Sequence, residues 1–268
     1  MFLASIFTHA NLFFLILVRV FAMLSVAPLF SSDAIPGAGR AGLAFFTAIV
    51  VFPWMLQSGY PIPDNGLAYV GLLVGEALLG ILQGFFLVLV YSVFQMTGQF
   101  FAQQMGFNAS ETYDPLAQQE LPVLGQFTNL IAMMVFLSVG GFSKIFLVNV
   151  WASFHAIRAV DFLTQQNLVS NMLITGLGVM FERSFLLSLP VYGVLLLTTT
   201  ALGLIGKAAP QMNLMMMGFP ISIGVGFAVL VLGMPFLLSA FAAVVSNGFT
   251  QLSDLLLRLA HHPVAGAP

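Results

Sequence analysis

The sequence contains no cysteine among its 268 residues, and only 6% of its residues are charged. The missing thiols exclude disulfide bonds, thiolate chemistry and cysteine-ligated metals. The histidines are isolated or terminal, so HExxH and similar metal-ligand spacings do not occur. A GxSxG elbow, a phosphate-binding loop and a GxGxxG motif are missing as well. We therefore predict a non-enzymatic protein with no catalytic residue, no metal and no cofactor.

Basic residues are also scarce. The formal net charge is −2, and the seven Lys and Arg residues are scattered singly along the chain. Because a nucleic-acid interface needs a basic patch, nucleic acid is not an expected partner. The same scatter places no excess of positive charge in alternate loops. The positive-inside rule therefore does not predict an orientation in the membrane.

Apolar side chains, by contrast, are abundant: 60% of the residues are hydrophobic and the mean hydropathy is +1.04. Soluble domains average roughly 45–50% apolar residues, and about 20 such residues cross a bilayer as a helix. The runs lack the alternation of a β-barrel, so backbone groups in lipid must be satisfied within helices. We predict an all-α polytopic membrane protein. Uncharged runs of spanning length lie at 41–63, 77–110, 121–143, 162–181, 184–206 and 208–253.

Breakers between these runs predict long helices joined by short polar connections. One polar connection ends at Asn171, and the charged pair Glu182–Arg183 and Pro190 predict interruptions of the helix that follows. Gly140–Gly141 predicts a further break. The predicted helices cover about 5–27, 41–54, 66–101, 122–139, 145–162 (a short span or an interfacial helix), 172–205 and 214–258.

The longest polar passage is residues 98–127. A helix leads into this passage, and Gln95, Gln99 and Gln103, four residues apart, share one face of that helix. Turn-forming residues then interrupt regular structure after Gly106, and the acids among them have no Lys or Arg nearby. The composition taken alone favours an ordinary loop between helices, and a functional loop is the alternative.

Arg19 and Glu76 are charged residues well inside apolar helices. A charge at the centre of a membrane helix costs roughly 2.5–3.5 kcal/mol on insertion scales, so it is normally paired or faces a cavity. We favour a salt bridge between helices or between subunits. The alternative is an ion-coupling or gating site.

Small residues recur along the predicted helix at 66–101. Gly71 and Gly75, then Gly80 and Gly84, form two GxxxG pairs. Glycines at this spacing let another helix backbone approach closely in lipid. The motif is common by chance, so it predicts packing in a crowded helical assembly and nothing catalytic.

Four stretches together resemble one known family. They read RVFAMLSVAPLFSSDAIPGAGRAGLA (19–44), GEALLGILQGF (75–85), QQMGFNASETYDPLAQQELPVLGQF (103–127) and KAAPQMNLMMMGFPISIGVG (207–226). Their order and spacing are similar to those of the FliR family, the flagellar member of the type III secretion export-gate proteins. The resemblance covers nearly the whole chain, and the last two stretches are the specific ones.

This resemblance implies a structural subunit of the flagellar export gate. In the family, one FliR-like copy assembles with several FliP and FliQ subunits into a helical cone around the export channel. The implied partners are therefore FliP and FliQ homologues, the FlhA and FlhB components, membrane lipids and unfolded export substrates in transit. The implied location is the bacterial inner membrane at the flagellar basal body.

The resemblance also implies a division of the chain. Residues 1–175 correspond to a FliP-like helical part that includes a central plug loop at 106–122. Residues 176–260 correspond to a FliQ-like helical hairpin, and 261–268 form a flexible tail.

Two sets of residues follow from the family's motifs. Lys207 stands where many relatives carry Arg, which keeps the charge and loses a bidentate contact. The residues implied in the plug or gate are Gln103, Gln104, Met105, Gly106, Phe107, Asn108, Glu111, Tyr113, Asp114, Pro115 and Gln118. The residues implied in structural packing are Arg19, Arg40, Gly71, Gly75, Glu76, Gly80, Gly84, Lys207, Pro210, Gln211, Asn213 and Pro220.

A second hypothesis is a secondary transporter of a small solute. Arg19 and Glu76 would form its buried coupling site, and helices broken near Pro220 and Pro235 would support it. The sequence shows no internal repeat and no further buried charges, which counts against this alternative.

Overall fold

The structure, a computed structural model, describes residues 2–31, 35–106, 123–156, 166–209, 211 and 214–260. Within these ranges the regular secondary structure is entirely helical, as the composition predicts. The elements are α1 (Phe2–Thr8), α2 (Ala10–Val26), α3 (Gly37–Gln57), α4 (Gly66–Met105), α5 (Val123–Ser138), α6 (Gly141–Lys144), a π-helix (Ile145–Ala152), α7 (Ser153–Ala156), α8 (Gln166–Ala208) and α9 (Leu214–Ala260).

Four of the described helices are long and apolar enough to cross a membrane: α3, α4 and most of α8 and α9. The prediction of an all-α polytopic membrane protein is confirmed. Helix α4 has 40 residues and α9 has 47. At 1.5 Å per residue, a helix of 40 residues is about 60 Å long, roughly twice the hydrocarbon thickness of a bilayer.

Some predicted helix boundaries are wrong. Helix α8 runs without interruption from Gln166 to Ala208, so Asn171, Glu182–Arg183 and Pro190 all lie inside it. Pro190 removes one backbone donor, and membrane helices tolerate this where neighbouring groups satisfy the freed carbonyl. Glu182 and Arg183 are exposed on the helix surface. At the N-terminus, the single predicted helix is divided at His9 into α1 and α2.

The predicted break at Gly140–Gly141 is confirmed. Gly140 has a φ of 69°, a conformation that glycine adopts without the steric cost that a side chain brings. The segment after it differs from the prediction, because a π-helix replaces an α-helix from Ile145 to Ala152. The structure describes this segment as far as Ala156.

The chain forms two compact units. Unit 1 consists of Met1–Leu89, Phe142–Gly176 and Asn247–Pro268, and unit 2 consists of Val90–Gly141 and Leu177–Ser246. The boundaries fall inside α4, α8 and α9. Residue 175 likewise lies within α8, so the division that the resemblance implies is not a break in secondary structure. It stays a prediction.

Aromatic side chains pack against one another in each unit. In unit 1, the ring of Phe13 lies 5.5 Å from that of Phe45, and Trp54 of α3 lies 5.0 Å from Trp151 of the π-helix. In unit 2, Phe94 packs edge-on against Phe241, with the ring centroids 4.6 Å apart. Edge-to-face pairs of this kind are favourable beyond the area that they bury.

Candidate functional site

Unit 1 contains a buried charged cluster. Arg19 of α2 and Glu76 of α4 form an ion pair through Nε and Oε2, and each side chain is only 1% exposed. The hydroxyl of Tyr60 donates to Oε1 of Glu76. The guanidinium also donates from Nη1 to Oγ of Ser153 at 3.4 Å and lies 4.1 Å from the ring centroid of Phe154. We call these five residues the Arg19 cluster.

Glycines bring the two helices of this pair together. A Cβ atom built on Gly80 would meet the Arg19 carbonyl oxygen and lie 2.9 Å from Cβ of Ala22. A Cβ atom on Gly84 would lie 2.7 Å from the carbonyl oxygen of Met23. The backbones of α2 and α4 therefore touch along this pair of glycines.

The first glycine pair, Gly71 and Gly75, has no such contact at Gly71. Gly71 is exposed, and a Cβ atom built on it would meet nothing within 4 Å, while Gly75 is buried. Gly80 and Gly84, the second of the two predicted GxxxG pairs, lie in the contact with α2.

The Arg19 cluster is a closed arrangement within one chain. Both carboxylate oxygens of Glu76 accept hydrogen bonds, and the guanidinium of Arg19 is enclosed by the carboxylate, a hydroxyl and an aromatic face. A buried pair is stable only with such additional partners, because desolvation offsets most of its Coulomb attraction. This geometry ties α2, α4, α7 and the 58–65 connection together and favours a packing role.

A second set of predicted residues lies at the C-terminal end of α4 in unit 2. Gln99 and Gln103 are exposed, and Gln95 is partly buried. The helix ends at Gly106, which has a φ of 82° and donates its N–H to the carbonyl oxygen of Gln103 at 3.2 Å. A polar stripe therefore leads along α4 to a glycine that closes the helix.

Helix α9 holds this end of α4. Met105 is fully buried, and its side chain fills the place where a Cβ atom on Gly226 would lie. The ring of Phe219 lies 2.7 Å from a Cβ atom built on Gly106. Both contacts depend on glycine, so the position of the helix end is specified sterically.

A cavity of about 400 Å³ opens beside this helix end. Its lining is largely apolar, with one amide and two hydroxyl side chains. The lining residues are Gln104, Met105, Gly106, Thr199, Leu202, Gly203, Gly218, Phe219 and Ser222. No group of three or more His, Asp or Glu side chains capable of holding a metal occurs in the described ranges.

The other predicted residues belong to neither the Arg19 cluster nor the end of α4. Lys207, Gln211 and Pro220 are exposed, and Arg40 is partly buried with its Nε atom unpartnered in the described part of the chain. The remaining residues of the predicted plug and of the 207–226 motif lie outside the described residues. They are Phe107, Asn108, Glu111, Tyr113, Asp114, Pro115, Gln118, Pro210 and Asn213.

The predicted site residues do not include Tyr60, Ser153 or Asn149. Tyr60 lies in a connection with no pattern that marks it. Asn149 and Ser153 are polar residues four apart in an apolar segment, and both are fully buried. Polar residues at this spacing share a helix face, so the pair could have predicted a polar contact in the core.

We expect Gly106→Ala to destabilise the end of α4 more than Gly59→Ala does. Both glycines have a left-handed φ, 82° and 65°, so alanine adds backbone strain of about 1–2 kcal/mol at either position. Only at position 106 would the new methyl group also meet Phe219. Thermal unfolding of the purified complex measures the difference. Equal losses in both variants would show that the Phe219 contact has no effect.

Comparison with known proteins identifies the family. Residues 10–248 match the family described as bacterial export proteins, family 1. The flagellar biosynthetic protein FliR of Borreliella burgdorferi is 28% identical over 90% of this chain and 89% of its own length. The FliR protein of Escherichia coli is 28% identical over 93% of this chain and 94% of its own length.

A relative with a different name is similar over most of the chain. The surface presentation of antigens protein SpaR of Salmonella typhimurium is 28% identical over 88% of this chain and 84% of its own length. The match thus runs through both units and includes the helices that carry the Arg19 cluster and the end of α4. The chain belongs to family 1 of the bacterial export proteins, as a member of the FliR family.

Proposed function

We propose that this chain is a non-enzymatic structural subunit of the flagellar type III export gate, through which unfolded flagellar substrates leave the cell. The observation that carries the proposal is the match to an export family over residues 10–248, with relatives aligned over about nine-tenths of their length. The buried charges support a structural role, because they hold helices together in a closed cluster.

The surface of unit 2 supports assembly with other subunits. Large apolar side chains on α8 and α9 are widely exposed, for example Leu197 at 70%, Val231 at 68% and Leu232 at 82%. The helices are also about twice as long as a bilayer requires, so lipid alone would not cover them. We assign these faces to FliP and FliQ homologues and to lipids, with FlhA and FlhB as further components. The site of assembly is the inner membrane at the flagellar basal body.

The segment 106–122 is proposed as the plug of the channel. Its N-terminal anchor is the end of α4, which α9 holds through Met105 and Phe219. The exposed amides Gln99 and Gln103 lead towards it and would form a hydrated channel wall. In this proposal the division at residue 175 separates a FliP-like part from a FliQ-like hairpin.

We expect deletion of residues 107–119 to make the closed gate leak ions and small solutes while the complex still assembles. The deletion removes the steric barrier and leaves α4, α8 and α9 unchanged. Conductance of the purified complex in a planar bilayer measures the leak, and an equal-length Gly-Ser replacement of 107–119 separates loop identity from loop length. Background conductance in the deletion variant would refute the plug.

The partner assignment has its own experiment. A tagged chain extracted in mild detergent should purify with FliP and FliQ homologues in a single large complex, whose mass gives the stoichiometry. A chain that purifies alone or only with copies of itself would contradict the gate subunit and restore the transporter hypothesis.

A further inference from the structure

Two buried amide side chains in unit 1 have polar atoms with no hydrogen-bond partner in the described part of the chain. Gln83 is 3% exposed and Asn149 is fully buried. Nε2 of Gln83 and both Nδ2 and Oδ1 of Asn149 have no hydrogen-bond partner among the residues that the structure describes. A buried polar group without a hydrogen-bond partner loses its hydration and gains nothing in return, so it destabilises the fold. Two such side chains in one core therefore require an explanation.

Gln83 lies at the level of Met23. Helices α2 and α4 run side by side in the same direction, because Tyr69 donates to the Asn11 carbonyl and later residues of α4 meet later residues of α2. A Cβ atom built on Gly84 would lie 2.7 Å from the carbonyl oxygen of Met23. Gln83 precedes Gly84, and it is two turns beyond Glu76 on the same face of α4.

Asn149 lies at the same level. The segment that contains the π-helix runs opposite to α2, because Ser153 contacts Arg19 while the ring of Phe142 lies 5.8 Å from that of Phe30. Asn149 is about one turn before Ser153 and on the same side of the segment. One turn after Arg19 on α2 is Met23, so both amides lie at the level of Met23 along α2.

We propose that Gln83 and Asn149 together bind ordered water in this layer, one turn from the Arg19 cluster. The unpartnered atoms are two amide donors and one carbonyl acceptor, and water both accepts and donates. Buried waters typically make about three hydrogen bonds to groups of this kind. The site is independent of the proposed export function, because it follows from the packing of unit 1 alone.

The π-helix explains why the site occurs here. The wider π turn changes the angular position of each residue, and such turns are frequent where a protein keeps an unusual local arrangement. In this segment Asn149 takes a fully buried position beside Val150 and Ile145. Water bound to Asn149 would satisfy its amide there and so stabilise the π register.

A double-mutant cycle tests the site on the complex purified with its partner subunits. Gln83→Leu, Asn149→Leu and the double variant are compared by their thermal unfolding midpoints. We expect each single variant to lower the midpoint, since it removes one ligand of the water. The double variant should be no less stable than the worse single variant, because water and both ligands are then gone together.

Two results of the cycle would overturn the proposal. A rise of the midpoint in either single variant would show that the amides are unsatisfied, since leucine then relieves a desolvation cost. Additive losses would show that the two residues share no ligand. Gln83→Leu combined with Thr128→Val, a buried polar residue of unit 2, serves as the additive control.

A density map of the unaltered complex at a resolution that shows water gives a second measurement and needs no variant. We expect a density peak within hydrogen-bond distance of both amides at the level of Met23. A direct hydrogen bond between Gln83 and Asn149, with no density between them, would overturn the proposal.

Discussion

Glu76→Leu is expected to prevent stable assembly of the complex, whereas the double variant Arg19→Met/Glu76→Leu is expected to assemble. The single substitution leaves the Arg19 guanidinium buried without its carboxylate, which costs about 3–5 kcal/mol. The total stability of a typical domain is only about 5–15 kcal/mol. Replacing both charges with apolar side chains of similar volume removes the desolvation cost together with the attraction, so it is often neutral or stabilising.

The yield of intact complex after detergent extraction, followed by thermal unfolding, measures both variants. Asp64→Leu removes an acid from an exposed position in the connection before α4 and serves as the matched control, with an expected loss near zero. A double variant as defective as Glu76→Leu would contradict the packing role. Export by the assembled double variant would further exclude ion coupling through this pair, because it contains neither charge.

The long helices could be predicted where their sequence is uniform. Helix α4 is predicted from 66 to 101 and runs to Met105, because no proline or charged pair interrupts it before Gly106. Helix α8 was predicted with interruptions at Glu182–Arg183 and Pro190 and has none. Pro190 does not end the helix, because the backbone hydrogen bonds before and after it are kept. Glu182 and Arg183 do not end it either, because both side chains are exposed on the helix surface.

Only part of the Arg19 cluster could be predicted from the sequence. An arginine and a glutamate inside apolar runs predicted an ion pair, since isolated charges are too costly in a membrane. Their closing partners could not be predicted. Tyr60 reaches Glu76 from a connection, and Ser153 reaches Arg19 from a distant segment whose π-helical turn has no sequence signature. Contacts between segments far apart in the chain depend on the packing of whole helices, which periodicity does not describe.

Gly80→Ala is expected to destabilise the complex strongly, and Gly71→Ala is expected to leave it unchanged or slightly more stable. The two residues belong to the same helix and to similar GxxxG motifs, so their intrinsic helix propensities are equal. A methyl group on Gly80 would meet the backbone of α2 at Arg19 and the Cβ atom of Ala22, and neither can move without displacing the helix. Overpacking of this kind costs about 1–3 kcal/mol, and separation of α2 from α4 would also strain the Arg19–Glu76 pair.

The same methyl group on Gly71 meets nothing within 4 Å. Alanine there gains about 0.5–1 kcal/mol of helix propensity over glycine. Thermal unfolding of the two variants, measured side by side on the purified complex, gives the comparison directly. Similar midpoints would show that α2 and α4 are not in backbone contact. A large loss at Gly71 alone would assign that surface of α4 to a partner subunit, since a partner is then what the added methyl group displaces.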